Sequence, residues 1–235
     1  MRTALWLSLW RQRLTSPVRM VVLAALVFMP LLLVAAMPGV GFAPLGDVQG
    51  IVLLFAAGLI GQDVSTGVLQ LLLARPVRRW EYVIHRWLAA AVAATAMCWA
   101  QALVAWGLMN LRGGAPPIEA LLLFIAGRFL DVFALAAVIT LLSSLIGGLG
   151  DLAIYLLFTI ALGILGAVAQ TAGWQTLVPV IQIASDFVNP KFEMAQIRAG
   201  APSWYAMASY LSTVSLALWL AVESVNRKEL SYASS

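Results

Sequence analysis

"MVVLAALVFMPLLLVAAM", residues 20–37, contains no charged side chain and no amide. Coiled as a helix at 1.5 Å per residue, such a run covers about 27 Å, close to the roughly 30 Å hydrocarbon thickness of a bilayer. No face of it is suited to water. In lipid, where nothing else can satisfy the backbone, a helix is the conformation that closes its own hydrogen bonds.

Working outward, the same character recurs. The chain has 235 residues, 63% hydrophobic and 10% charged, with a mean hydropathy of +0.96. Soluble domains carry about 25% charged residues. Five further stretches meet the length criterion, so six spans are expected at residues 20–37, 41–61, 87–111, 118–149, 152–169 and 203–222. Asp47 interrupts the second of these. The fourth is longer than the hydrocarbon core requires and must protrude, tilt or bend. The fold class is all-α: a polytopic membrane protein with six transmembrane helices.

Charge placement sets the orientation. Arg2, Arg11, Arg13 and Arg19 precede the first span, Arg75, Arg78, Arg79 and Arg86 lie between the second and third, and Arg227 and Lys228 follow the sixth. Arg112, Lys191 and Arg198 fall on the other side, and Arg128 lies within the fourth span. The positive-inside rule therefore places both termini in the cytoplasm of a cell bounded by this inner membrane. A net charge of +4 without a basic patch argues against a nucleic-acid partner. A cleaved signal peptide with residues 31–36 as its apolar region is disfavoured, because the apolar stretch begins late and runs long.

Residues 1–19 carry Trp6, Leu9, Trp10 and Leu14 near helical spacing among Arg2, Arg11 and Arg13. That pattern predicts an amphipathic interfacial helix with its Trp rings at headgroup depth. It serves either as a topogenic anchor or as a lever between a cytoplasmic partner and the first span. The spans occupy 20–222, and residues 223–235 form a cytoplasmic tail.

The one long stretch that mixes charge with leucine is "GQDVSTGVLQLLLARPVRRWEYVIHR", residues 61–86. Val64, Val68, Leu71 and Leu72 fall on one side of a helix, with Asp63, Thr66 and Gln70 largely opposite. Pro76 ends that helix. Arg78, Arg79 and Glu81 then form a charged turn that leads into the third span. The expectation is a cytoplasmic helix-break-helix, the loop 62–86, with one apolar face.

This stretch resembles the signature region of the membrane subunits of ABC-2-type ABC transporters. There an acidic residue, a Gly-[TV]-Leu-like turn, a leucine-rich helix and a Pro-x-[SR]-Arg-like break precede the third span. The matching positions are Asp63, Gly67, Leu69, Leu72, Pro76, Arg78, Arg79 and Tyr82. The family often has Glu at Asp63 and Lys at Arg86, and both departures keep the charge. Six spans, the N-terminal helix, "SSLIGG" at 143–148 and a long segment at 172–202 also fit the family.

The resemblance implies an exporter's permease subunit, whose loop 62–86 is the coupling helix that docks on a separate ATP-binding cassette ATPase. In that picture Leu69 and Leu72 bury against the ATPase, with Arg75, Arg78 and Arg79 at the rim. ATP and Mg belong to that partner, and two membrane subunits act as a dimer among membrane lipid. The residues agree on one point independently. No G-x-x-x-x-G-K-[ST] phosphate loop occurs, and Lys191 and Lys228, the only lysines, are followed by Phe and Glu.

Within the spans, Arg128 and Asp131 are three residues apart on one helical face. They are either a local ion pair that neutralises both charges, or groups lining a substrate path or dimer seam. A secondary transporter using this pair is the alternative function, and a non-transporting assembly factor is another. Gln101, Asn110 and Gln170 are candidates for interhelical hydrogen bonds. His85, the only histidine, lies in the loop, which disfavours a membrane protease.

The remaining features are architectural. Cys98, inside an apolar run, is a small membrane-facing or packing residue, and no metal site is expected. Gly147, Gly148 and Gly150 make a tight turn, with Asp151 as N-cap of the fifth helix. Gly163 and Gly166 miss the G-x-x-x-G spacing. In 172–202, Pro179 and Asn189-Pro190 divide a segment whose apolar part, 177–183, is too short to span. It is expected as a re-entrant or surface helix at the outer face, bounded by Trp174, Trp204 and Tyr205.

Overall fold

The computed structural model of the chain describes residues 6, 10, 15–37, 39–67, 78–192, 194 and 204–232. Among these, the regular structure is entirely helical: α1 (Pro17–Ala36), a 3₁₀ turn (Ala43–Leu45), α2 (Gln49–Ala56), α3 (Gly61–Ser65), α4 (Arg79–Leu111), α5 (Ile118–Leu145), α6 (Gly150–Thr171), α7 (Val178–Val188) and α8 (Trp204–Tyr232). Six segments are long and apolar enough to cross a membrane: α1, the composite Ala43–Ser65, α4, α5, α6 and the stretch Ala206–Arg227 of α8.

The centre of the bundle is α5. It packs against α2, α3, α4, α6 and α8, while α1 leans on α4 and α2. α4 and α5 pack closely, and small side chains are buried along both, Ala89, Ala90, Ala91 and Ala94 on α4 and Ala134, Ala136 and Ala137 on α5. Lipid tails are as apolar as leucine, so helices in a membrane gain little by hiding leucine and more by close backbone approach. α6 is the opposite case: Leu157, Phe158, Ile160 and Ile164 remain exposed along it.

Polar side chains join the helices at backbone carbonyls. Trp87 Nε1 donates to Phe133 O at 3.1 Å and Tyr210 Oη to Leu130 O at 2.7 Å. Gln101 is the most informative of these. Pro30 sits inside α1 and has no N–H, so the carbonyl four residues earlier, Leu26 O, loses its helical donor. Gln101 Nε2, on α4, donates to Leu26 O at 3.1 Å and to Val27 O at 3.2 Å. Asn110 and Gln170 are instead exposed.

The second span departs from a simple helix. Asp47 lies between the 3₁₀ turn and α2, and a further break at 57–60 separates α2 from α3. α3 then ends at Ser65, and Gly67 takes a left-handed φ of 72°. The helix that the apolar pattern predicts through Val64 and Val68 therefore does not pass Gly67 unbroken. Downstream, the helix of the third span begins at Arg79, not at Trp87, so residues 79–86 of the loop are continuous with that span.

Two further expectations are corrected. α6 begins at Gly150 with Leu149 at its N-cap position, so Asp151 lies in the first turn and is not the cap. The fourth-span helix stops at Leu145 because Ile146 is extended. In the segment 172–202, Pro179 starts α7 within its first turn, and the eleven residues of that helix pack on α6. Of the N-terminal segment, Trp6 and Trp10 are described; both pack on the core, and Trp10 Nε1 donates to Ala89 O at 3.0 Å.

Candidate functional site

Two polar constructions stand out in the bundle, one at the C-terminal end of α5 and one along its first half. The first forms where the broken second span meets the end of α5 and the start of α6. A helix break exposes amides that hydrocarbon cannot satisfy. Here the neighbours satisfy them: Gly58 N donates to Asp151 Oδ2 at 2.6 Å, and Ile60 N and Gly61 N both donate to Ser143 Oγ at 3.0 Å. In return, Gly148 N donates to Gly61 O at 2.9 Å.

The approach is close enough to require glycine. A Cβ on Gly61 would lie 2.5 Å from Ile146 O and 2.8 Å from Gly148 O, both backbone atoms. Ser143 and Asp151 are fully buried. A carboxylate in the first turn of α6 also faces the positive end of that helix, which suits Asp151 to a dry position.

Beside this clamp lies Asp63. Its Oδ2 accepts hydrogen bonds from Tyr82 Oη and from the Arg86 guanidinium, whose Cζ sits 5.6 Å from the centre of the Tyr82 ring. Asp63, Tyr82 and Arg86 are all buried. Arg86 Nε has no acceptor among the described residues. Asp63 precedes residues 68–77, which lie outside the described residues, and Tyr82 and Arg86 follow them, so one carboxylate ties the two stems of 62–86 together.

Of the loop residues expected to form the coupling site, the structure thus brings together Asp63 and Tyr82. Arg78 is exposed and Arg79 half-buried. Leu69, Leu72, Arg75 and Pro76 lie outside the described residues. Arg86, Ser143 and Asp151 complete the junction; the sequence marks Arg86 as a charge beside the third span, Ser143 within SSLIGG and Asp151 beside a glycine turn, but not that they meet the second span.

The second construction is a cavity of about 620 Å³ between the start of the second span and the first half of α5. Asp47, Arg128, Asp131 and Lys191 line it together with Phe42, Leu123, Phe124 and Phe192. Among the described residues, Arg128 and Asp131 do not pair with each other. Arg128 donates to Gly46 O and lies 4.6 Å over the Phe124 ring. Asp131 Oδ1 accepts the Phe192 amide at 3.0 Å. Lys191 Nζ pairs with Asp47 at 2.9 Å. The local ion pair expected from the spacing is replaced by partners from other segments, because the second span and the chain after α7 reach α5 at this level.

Neither construction holds an activated nucleophile beside a base. No three His, Cys, Asp or Glu side chains among the described residues are placed to hold a metal ion. The chemistry on offer is mechanical at the first site and charge recognition at the second. No protein-family model, curated protein or solved structure matches the chain.

Proposed function

We propose that the chain is the membrane-spanning permease subunit of an ABC-2-type transporter, an exporter, driven by a separate ATP-binding cassette ATPase docked on the loop 62–86. The observation that carries this reading is the tie between Asp63 and Arg86. A loop that receives force from a partner must pass it to the spans without folding away at its base. With both stems held on one buried carboxylate, a displacement of residues 68–77 moves α3 and the start of α4 together. α4 is a single helix of 33 residues, about 50 Å long, and carries that displacement to the far end of the bundle. The clamp at Gly58, Ile60 and Gly61 extends it to α5 and α6.

In this reading ATP and Mg are bound by the partner, and a second permease subunit completes the path. The test is recovery of the tagged chain from gently solubilised membranes. A stoichiometric ATP-binding protein is expected, one that crosslinks to a Cys placed at Arg78. Crosslinks from positions at the other end of the bundle, such as Glu119, with none from Arg78, would overturn the assignment. The cavity at Arg128 and Asp131 favours a second reading, a secondary transporter. Uptake or efflux in vesicles that follows an ion gradient without ATP would select it.

A further inference from the structure

We propose that the cavity beside Arg128 and Asp131 binds a zwitterionic amphiphile, with its anionic group on Arg128, its cationic group on Asp131 and its apolar chain against Phe42, Leu123 and Phe124. The site is defined by what its charges lack. A guanidinium offers five N–H donors and a carboxylate about four acceptor positions. Arg128 places one bond on Gly46 O, and Asp131 uses Oδ1 for the Phe192 amide. The rest of both groups has no hydrogen-bond partner among the described residues, although both line a cavity.

The other two charges there are already matched. Asp47 and Lys191 pair at 2.9 Å, and both side chains are substantially solvent-exposed. Among the described residues the lining therefore carries two cations and two anions, so a ligand of large net charge would be repelled by one sign or the other. A ligand with one charge of each sign is not. Arg128 and Asp131 are three residues apart on α5, about 4.5 Å along its axis, which sets the separation the ligand must offer.

The walls argue for an apolar chain as well. Phe42 and Phe124 stack with ring centres 4.5 Å apart and form one wall of the cavity, and Phe124 also carries the guanidinium of Arg128 on its face. Charge held against an aromatic face beside leucine is a recurring way to bind a polar head and an apolar tail at once. The volume falls within the roughly 300–1,000 Å³ usual for small-molecule sites.

The test uses the purified full chain in maltoside micelles and requires no ATPase, so it is independent of the transporter reading. Short-chain phosphatidylethanolamine is titrated against phosphatidylglycerol and an uncharged diglyceride of the same chain length, with binding read by native mass spectrometry. Phosphatidylethanolamine is expected to bind at least tenfold more tightly than either. Arg128→Gln and Asp131→Asn should each remove most of that preference. Equal binding of the uncharged diglyceride overturns the site, and equal binding of phosphatidylglycerol overturns the role of Asp131. Glycerophosphoethanolamine, the same zwitterionic headgroup without chains, should bind far more weakly. Equal affinity for it would overturn the amphiphile and assign the cavity to a water-soluble zwitterion. Because these comparisons are made on the unaltered chain, a variant that fails to fold does not rescue the proposal.

Discussion

The carboxylate of Asp151 accepts the amide of Gly58 at 2.6 Å across 93 positions of sequence. Through that bond the first turn of α6 completes a break in the second span. An amide left without its acceptor in a dry site costs about 1–3 kcal/mol. Asp151→Ala should therefore lower the stability of the solubilised protein by about that amount, measured by unfolding in mixed micelles. Asp151→Asn, which keeps an acceptor oxygen, should recover much of it. An Ala variant as stable as the parent would show that Gly58 finds another acceptor.

Gly61 and Gly163 make a matched pair for a second test. A Cβ at Gly61 meets two backbone carbonyl oxygens within 3 Å, whereas one at Gly163, inside α6, meets nothing within 4 Å. Gly61→Ala must push the second span off the 146–148 turn and is expected to reduce folded yield. Gly163→Ala should be neutral or stabilise by about 0.5–1 kcal/mol, the usual gain from replacing glycine in a helix. Equal tolerance of both would contradict the close approach.

At the loop stems, removing one member of a buried ion pair leaves an uncompensated charge, at a cost of about 3–5 kcal/mol, while replacing both by apolar groups is often neutral. Asp63→Leu and Arg86→Met should each be strongly destabilising alone and much less so together. Tyr82→Phe, which removes a single donor, should cost less than either. Additive losses in the double variant would mean that Asp63 and Arg86 do not act as a pair.

Gln101 and Pro30 should be coupled in a way that neither residue suggests alone. Gln101→Leu removes the donor to Leu26 O, and interhelical hydrogen bonds in membranes are worth about 0.6 kcal/mol, up to about 1.7. Pro30→Ala restores the intrahelical N–H. The loss from Gln101→Leu should therefore shrink in the Pro30→Ala background, as measured by a double-mutant cycle.

If the loop 62–86 docks on an ATPase as proposed, Leu72→Asp should abolish partner binding and partner-stimulated ATP hydrolysis while leaving the purified bundle folded. Interface energy concentrates in central apolar contacts, at about 2 kcal/mol or more each. Arg78→Ala should change both little, because an exposed charge contributes about 0–1 kcal/mol. A Leu72→Asp protein that still binds its ATPase would place the contact elsewhere.

The legible and illegible parts of this chain divide along a physical line. Uninterrupted apolar runs such as 20–37 and 152–169 announce their helices, since lipid imposes helix on any such run. Asp47 also announces trouble in the second span, and the structure breaks there. What the break rests on could not be read, because Ser143 and Asp151 are ordinary residues near a glycine turn and lie 82 to 93 positions away. Asp63 and Tyr82 stand out from local pattern, whereas Arg86 as their partner follows only from how the stems fold back. Arg128 and Asp131 mislead in the other direction: spacing along one helix suggests a pair, but Gly46 O and the Phe192 amide arrive from other segments and take its place.

The clamp on the second span also fixes an order of biogenesis. When residues 43–65 leave the ribosome, Ser143 and Asp151 have not yet been made. At about 5–20 residues per second, they follow roughly 5–20 s later. Throughout that interval the amides of Gly58, Ile60 and Gly61 have no protein acceptor, and hydrocarbon offers none. The break in the second span is completed in two stages, at Ile60 and Gly61 when α5 brings Ser143 and at Gly58 when α6 brings Asp151. A nascent chain cut between the fourth and fifth spans would carry Ser143 but not Asp151, and would hold the Gly58 amide in a state the finished protein never visits.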